Sequence, residues 1–421
     1  MISVDISNIW CSISLPDLLA EEKNIFDAHL QLGGGEYKNN PWFNWLDSDH
    51  EARRSWVNPV ITAAEKIRSD SQILVVVGGG LPAAAARAAI RLLPGLSSPL
   101  RLLFVGEDYS SEKWLRVVKA LETVDFSVLV TAPGKNETPA LVALRSLRWI
   151  MEKRYGDFAK NRIYIAPPTP GSTLQKVADT LGCQTLPMPA DKFAPASSLS
   201  PAALLMMAAA GINPGLLYSG AAAFAEENDI RSFDNPLWLY AAARKLLCGS
   251  GHPSEVICTT DPNADALGAW WQRTMSFAAN KSGNLVAMQH ARLPEDFFIA
   301  GDSLLQPGQF ASVLRFPTQS RKVSVETDWA DPDGLNALAG LDLSVLESRT
   351  LEAITDAFIR DEVPFVSIDC DEPMTDDKVG ELLCFIEQAA ALSARAMDAD
   401  PTAQPLSAAV LKTLDSTLGR N

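Results

Sequence analysis

From Ile73 onward the chain alternates short, consecutively apolar runs with longer stretches whose apolar positions recur at helical spacing. ILVVV precedes GGGLP, LLFV precedes GEDYSSEKWLRVVKAL, FSVLVT precedes TAPGKNETPALVALRSL, and IYIA precedes PPTPGSTLQKVADTLG. Strands separated by amphipathic helices of this length predict right-handed βαβ units and a parallel sheet covered on both faces. The same rhythm predicts one doubly wound domain over residues 50–200, preceded by helix and loop over residues 1–49.

A long Ala/Leu/Met-rich helical stretch, LSPAALLMMAAAGINPGLLYSGAAAFA, then bridges into a second half, read as residues 201–397. There the pattern resumes more loosely: VIC, the helix LGAWWQRTMSF, NLVAM, FASVLRF, KVSVET, and PFVSIDC before the helix DDKVGELLCFIEQAAALSARAM. The expected fold class is α/β, with two doubly wound parallel-sheet domains, helical extensions at both ends, and a tail over residues 398–421. No Gly/Ser-rich tract divides the halves, so they are expected to pack against each other.

At 421 residues and 47% apolar content the chain has ample material for more than one core. Thirty-six basic against 51 acidic side chains, a net charge of −15, argue against a nucleic-acid or anionic-lipid surface. The six cysteines are scattered without a CxxC pair, which predicts neither a metal site nor a disulfide framework and fits a reducing compartment. No segment reaches the ~20 apolar residues of a membrane span, and the first residues lack a signal-peptide pattern, so a cytoplasmic location is expected.

Candidate chemistry gathers at two glycine turns that open helices. At GGGLP the backbone of Gly78, Gly79 and Gly80 is free to approach an anion at a helix N-terminus; equally, this is a tight strand-to-helix turn with Pro82 in the first helical turn. The pattern is not GxGxxG, so no dinucleotide is expected, nor any other cofactor. At TAPGKNETP, Gly134, Lys135, Asn136, Glu137 and Thr138 offer backbone donors, a charge and an amide to an anion. Alternatively Lys135 is solvated, with Asn136 or Thr138 capping the helix. The four histidines show no ligand spacing. Trp42, Phe43 and Trp45, and the pair Trp270 and Trp271, read as packing aromatics, and the acidic run from Asp369 to Glu372 as a turn after a strand.

Several segments together resemble the glucose-6-phosphate isomerase family, whose halves are sugar-isomerase (SIS) domains. VVVGGGLPAAAARAA stands where that family typically reads VIGIGGS, TAPGKNETP resembles SKSGTTxEP, and DGLNALAG, Asp333 to Gly340, resembles DGLNxLAG. PADKFAPASSLSPAALL is a same-length counterpart of PDDVGGRYSVLTPVGLL and brings Ser197 into the candidate ligand set. DPTAQPLSAAVLK, ending at Lys412, is similar to NPxDQPGVExxK. The resemblance implies two SIS-type domains, a phosphosugar or other small anion as ligand, and a homodimer or an association with another enzyme.

The departures fall on the residues that would carry aldose–ketose isomerisation, which needs a base, a ring-opening acid and an oxyanion partner. Matching FAANKSGN to the family's GESxGK puts Ala279 at the base. Alignment on QPG puts Ile299 at the ring-opening His, and Pro195 stands at the Arg of GGRYS. The phosphate-loop hydroxyls are replaced by Pro133, Lys135 and Asn136, and the serine after the first turn by Pro82. Lys412 alone matches a functional family position, after a one-residue insertion. Two expectations follow: a phosphosugar- or partner-binding homologue without standard chemistry, or an active isomerase using Glu137, Asp191, Glu295, Asp296 or Asp302.

Overall fold

The computed structural model describes residues 2–33, 50–93, 95, 100–132, 136–167, 171–187, 198–279, 286–317, 322–401 and 405–419. The first half comprises β1 (Ile2–Asn8), α1 (Leu15–Ala20), α2 (Glu22–Gly33), α3 (His50–Asp70), β2 (Ile73–Val77), α4 (Gly80–Leu92), β3 (Arg101–Val105), α5 (Ser111–Leu121), β4 (Phe126–Thr131), α6 (Thr138–Tyr155), β5 (Ile163–Ala166), α7 (Thr173–Leu181) and β6 (Gln184–Thr185). The second half comprises α8 (Pro201–Ala209), α9 (Pro214–Glu227), α10 (Pro236–Gly249), β7 (Ser254–Thr259), α11 (Asp265–Ala278), β8 (Ala287–Arg292), α12 (Glu295–Leu304), β9 (Gln309–Arg315), α13 (Leu343–Arg360), β10 (Phe365–Cys370), α14 (Asp376–Ala396) and α15 (Pro405–Thr417).

Two five-stranded sheets result, in the orders β3-β2-β4-β5-β6 and β1-β10-β9-β7-β8. Every pairing in the first is parallel, and in the second only β1 runs antiparallel, against β10. Strands buried on both faces read as unbroken apolar runs, yet their side chains still alternate between two cores. In β2, Leu74 and Val76 join one core while Ile73, Val75 and Val77 join another. In β9, Phe310 and Leu314 share the core of Leu74, whereas Ala311 and Val313 face a third. The shared core is a helical layer between the sheets, built from α3, α4, α8, α9, α10, α11 and α14. The outer face of the first sheet is covered by α5, α6 and α7, and that of the second by α12 and α13.

Within the middle layer α9 and α14 touch backbone to backbone. A Cβ on Gly220 would lie 1.9 Å from the Asp377 carbonyl oxygen, and one on Gly380 would lie 1.9 Å from that of Leu217. A second device is a buried charge network at the base of the second sheet. Glu255, fully buried, accepts hydrogen bonds of 2.6 Å from Tyr240 Oη, Arg244 Nε and Ser312 Oγ. Burial on its own would lower the pKa of Arg244, but the adjacent Glu255 carboxylate holds it above the ordinary value.

Four sequence expectations are corrected. Residues 1–49 were expected to be helix and loop, but Ile2–Asn8 form an edge strand whose partner lies more than 350 positions away, beyond the reach of local pattern. The helical stretch 199–225 is two helices, because Gly211 takes φ +106° and Asn213 caps α9 with Pro214 in its first turn. The strand expected at NLVAM begins at Ala287 and runs to Arg292. KVSVET forms no strand in either sheet: Val323 is exposed, and Val325 pairs locally with Gly340 and Leu341.

Candidate functional site

The first sheet reverses its strand order between β2 and β4, and in doubly wound sheets the crevice beyond the carboxyl ends at such a switch point receives ligands. The turn after β2 is held there by steric necessity. Gly78 takes φ +93°, and a Cβ on it would lie 1.8 Å from the Thr131 carbonyl oxygen at the end of β4. Gly79 opens α4 without any side-chain cap, and Pro82 is buried in the helix's first turn. The first glycine turn thus lies directly against the end of β4.

Of the second turn, Pro133, Gly134 and Lys135 lie outside the described residues, as do Asp191, Pro195 and Ser197. Asn136 accepts a 3.2 Å hydrogen bond from the Thr138 N–H, an Asx turn that leads into α6. The Glu137 carboxylate accepts the Leu174 N–H at 3.4 Å, tying the start of α6 to the first turn of α7. Lys412 is exposed on α15 and has no hydrogen bond or ion pair among the described residues.

The end of β3 brings in two residues that the sequence did not single out. Gly106, with φ +75°, packs against the Gly78 nitrogen and the Ala140 Cα, and the chain then directs Glu107 over the first glycine turn. A Cβ on Gly79 would meet the Glu107 carboxylate at 2.2 Å. Both Glu107 oxygens lie 3.2 Å from an Arg87 guanidinium nitrogen, and the Lys113 ammonium approaches to 3.8 Å. The Arg87 guanidinium stacks 3.9 Å from the centre of the Phe104 ring. The one legible signal was the Gly106–Glu107 step directly after a strand. Beside it, a cavity of about 310 Å³ opens between α5 and α6, lined by Gly106, Tyr109, Ser110, Lys113, Pro139 and Val142.

In the second half, Ala279 ends α11 as its C-cap, and Ile299 is 74% exposed on α12. Glu295, Asp296 and Asp302 also lie on α12, which covers the outer face of the second sheet, away from the middle layer that contains α4. Asp296 is occupied by the Arg292 N–H at 2.6 Å, and Glu295 pairs with the Arg292 side chain. His290 sits on β8 against Gly268 of α11, with its Nε2 3.2 Å from Thr259 Oγ1, and burial depresses its pKa. Trp270 and Trp271 are buried in the shared core, whereas Trp42, Phe43 and Trp45 lie outside the described residues. The acidic run after β10 is tethered: Asp369 pairs with Arg315 and Glu372 with Lys378.

A cavity of about 850 Å³ lies at the carboxyl ends of β7 and β9, the switch point of the second sheet. It is bordered by Asp261, Arg315 and Glu347, and both burial and the nearby Asp261 raise the pKa of Glu347. Among the described residues no group of three or more His, Cys, Asp or Glu side chains is placed to hold a metal, and no helix is long and apolar enough to cross a membrane.

No protein-family model matches the chain. Curated proteins do: a glucose-6-phosphate isomerase of Clostridium perfringens (strain 13 / Type A) is 29% identical, over 99% of this chain and 95% of that protein. One from Fusobacterium nucleatum subsp. nucleatum is 27% identical, over 100% and 96%. Among solved structures, a hypothetical protein from Thermus thermophilus superposes with a TM-score of 0.85 at 17% identity, covering 100% of both chains. A glucose-6-phosphate isomerase from Chlamydia trachomatis superposes with a TM-score of 0.80 at 12% identity, over 99% of this chain and 88% of that one. At these identities the two structures establish a shared fold. Matched by curated relatives nearly from end to end and built on the same two-sheet scaffold, the chain is a homologue of the glucose-6-phosphate isomerases.

Proposed function

We propose that this chain is a sugar-phosphate-binding homologue of the isomerases that has lost their standard aldose–ketose chemistry. A fold does not carry its chemistry with it; the chemistry belongs to the side chains at the site. The carrying observation is the placement of the carboxylates. Ala279 stands where the resemblance puts the base, and Glu295, Asp296 and Asp302 lie on the far side of the second sheet from α4 and the glycine turn that opens it. Glu137, the acid nearest the turns in sequence, is already bonded to the Leu174 N–H. With Ile299 and Pro195 at the acid and arginine positions, none of the sequence's candidate carboxylates that lie among the described residues stands free beside the first glycine turn to move a proton between adjacent sugar carbons.

On this reading a phosphosugar or similar anion contacts the backbone of Gly78, Gly79 and Gly80. Gly134, Lys135, Asn136, Glu137, Thr138 and Ser197 complete the ligand set, and Lys412 is the one retained functional position. The protein acts in the cytoplasm as a homodimer or in association with another enzyme. The full-length resemblance to curated isomerases favours a second reading, an active isomerase with unconventional residues.

The two are separated by a coupled assay of glucose 6-phosphate and fructose 6-phosphate interconversion on purified protein. The expected outcome is no turnover within the usual enzyme range of ~1–10³ s⁻¹. Turnover in that range, abolished by Glu295→Ala or Asp302→Ala, overturns the proposal in favour of the active isomerase.

A further inference from the structure

The space over the first glycine turn is not open. Glu107 fills it: its carboxylate lies where a Cβ of Gly79 would be, beside the uncapped start of a 13-residue helix. Arg87 is turned onto that carboxylate and is fixed further by its stacking on Phe104, while Lys113, hydrogen-bonded to Asp108 at 3.0 Å, approaches Glu107 only to 3.8 Å. A helix N-terminus and an arginine are the elements with which proteins bind phosphate. Here the arginine already has an anion, supplied by the chain itself, and that anion lies beside the helix start.

We propose that Glu107 is an internal competitor for the anion site at the start of α4, and that Arg87 is the ligand-binding cation it holds in reserve. This inference rests on reading the first switch point as an anion site, and adds what governs access to it. The contact is poised rather than locked. Glu107 and Arg87 side chains retain 30% and 35% exposure, and an ion pair open to water contributes little to folding. A phosphate dianion carries more charge than the carboxylate and presents more oxygens, so it can take over Arg87 once Glu107 turns outward. Gly79 is part of the device: any side chain there would meet the Glu107 carboxylate and displace it.

The test is calorimetric titration of inorganic phosphate and of fructose 6-phosphate into wild type, Glu107→Gln, Glu107→Ala, Arg87→Met and the double variant Glu107→Gln/Arg87→Met, each first checked for a native circular dichroism spectrum. Both Glu107 variants are expected to bind roughly tenfold or more tightly than wild type, with a gain that shrinks as salt rises. Arg87→Met alone is expected to gain nothing, and the double variant to lose the gain. Should wild type already bind as tightly as Glu107→Gln, the anion site stands and the competitor falls. Should wild type and both Glu107 variants all fail to bind either anion, the inference and the anion-site reading fall together. A gain undiminished in the double variant overturns the role given to Arg87.

Discussion

Glu387 stands out among the buried side chains, because one oxygen accepts the Ser198 N–H at 2.7 Å while the other has no partner among the described residues. Burial pushes its pKa up to about 8, from an ordinary 4.5, against the opposing pull of that bond. The folded state therefore binds the proton more tightly than the unfolded chain. Stability falls as pH rises from about 4.5 to about 8 and is lowest above, with a total swing on the order of a few kcal/mol. Glu387→Gln is expected to remove that decline. Urea unfolding at pH 5 and pH 8.5 measures it, and parallel losses in wild type and variant would show that Glu387 is ionised throughout. Little of this was legible beforehand. IEQAAAL reads as one more turn of an amphipathic helix, and only packing against residues 189 positions earlier buries the acid. Glu107 was hidden for a related reason: its position over Gly79 depends on β3 lying beside β2 and on the absence of a Cβ. By contrast, the allotment of Val75 and Val77 to one core and Leu74 and Val76 to the other follows from strand period alone.

Among the elements, the crossing of α9 and α14 is the contact with least slack. Gly220 and Gly380 each face a backbone carbonyl of the other helix at a distance where no side-chain carbon fits, so the helices would have to separate to admit even a methyl. Gly380→Ala is expected to destabilise by about 1–3 kcal/mol or more, although alanine is the better helix former by about 1 kcal/mol. Thermal denaturation gives the sign: a lowered Tm means that overpacking wins, and a raised Tm means that the crossing can relax. Both helices were foreseeable as helices. Their close approach was not, since a glycine in a helical run reads as a weakness until its partner is known. The pattern also over-reached at KVSVET, where alternation alone cannot show that no sheet edge awaits the strand.

The whole molecule is organised around the layer that both sheets share. Trp238, Trp271, Leu205, Leu383 and Phe385 belong to a single core that also takes Leu74 from one sheet and Phe310 from the other. Neither sheet can keep its inner face dry without that layer, so the two halves are expected to unfold in one transition. Labelling of the Cys258 thiol, buried in the outer core of the second sheet, should show the same denaturant midpoint as the loss of total helix signal in the far ultraviolet. Labelling at a lower midpoint would mean that the second half opens independently. The two-layered rhythm of strands and helices was readable from the sequence, but the single shared core was not, because periodicity marks a buried face without naming what buries it.

The antiparallel pairing of Ile2–Asn8 with Phe365–Cys370 also carries a consequence for biosynthesis. A ribosome adding roughly 5–20 residues per second emits the strand partner about 20–70 s after β1 has left the tunnel. During that interval an extended segment with alternating isoleucines and an unused row of amide groups is free to find other partners. The edge strand of the second sheet is thus made long before its partner and placed only once β10 has emerged, and until then that strand is the part of the second sheet most in need of a chaperone.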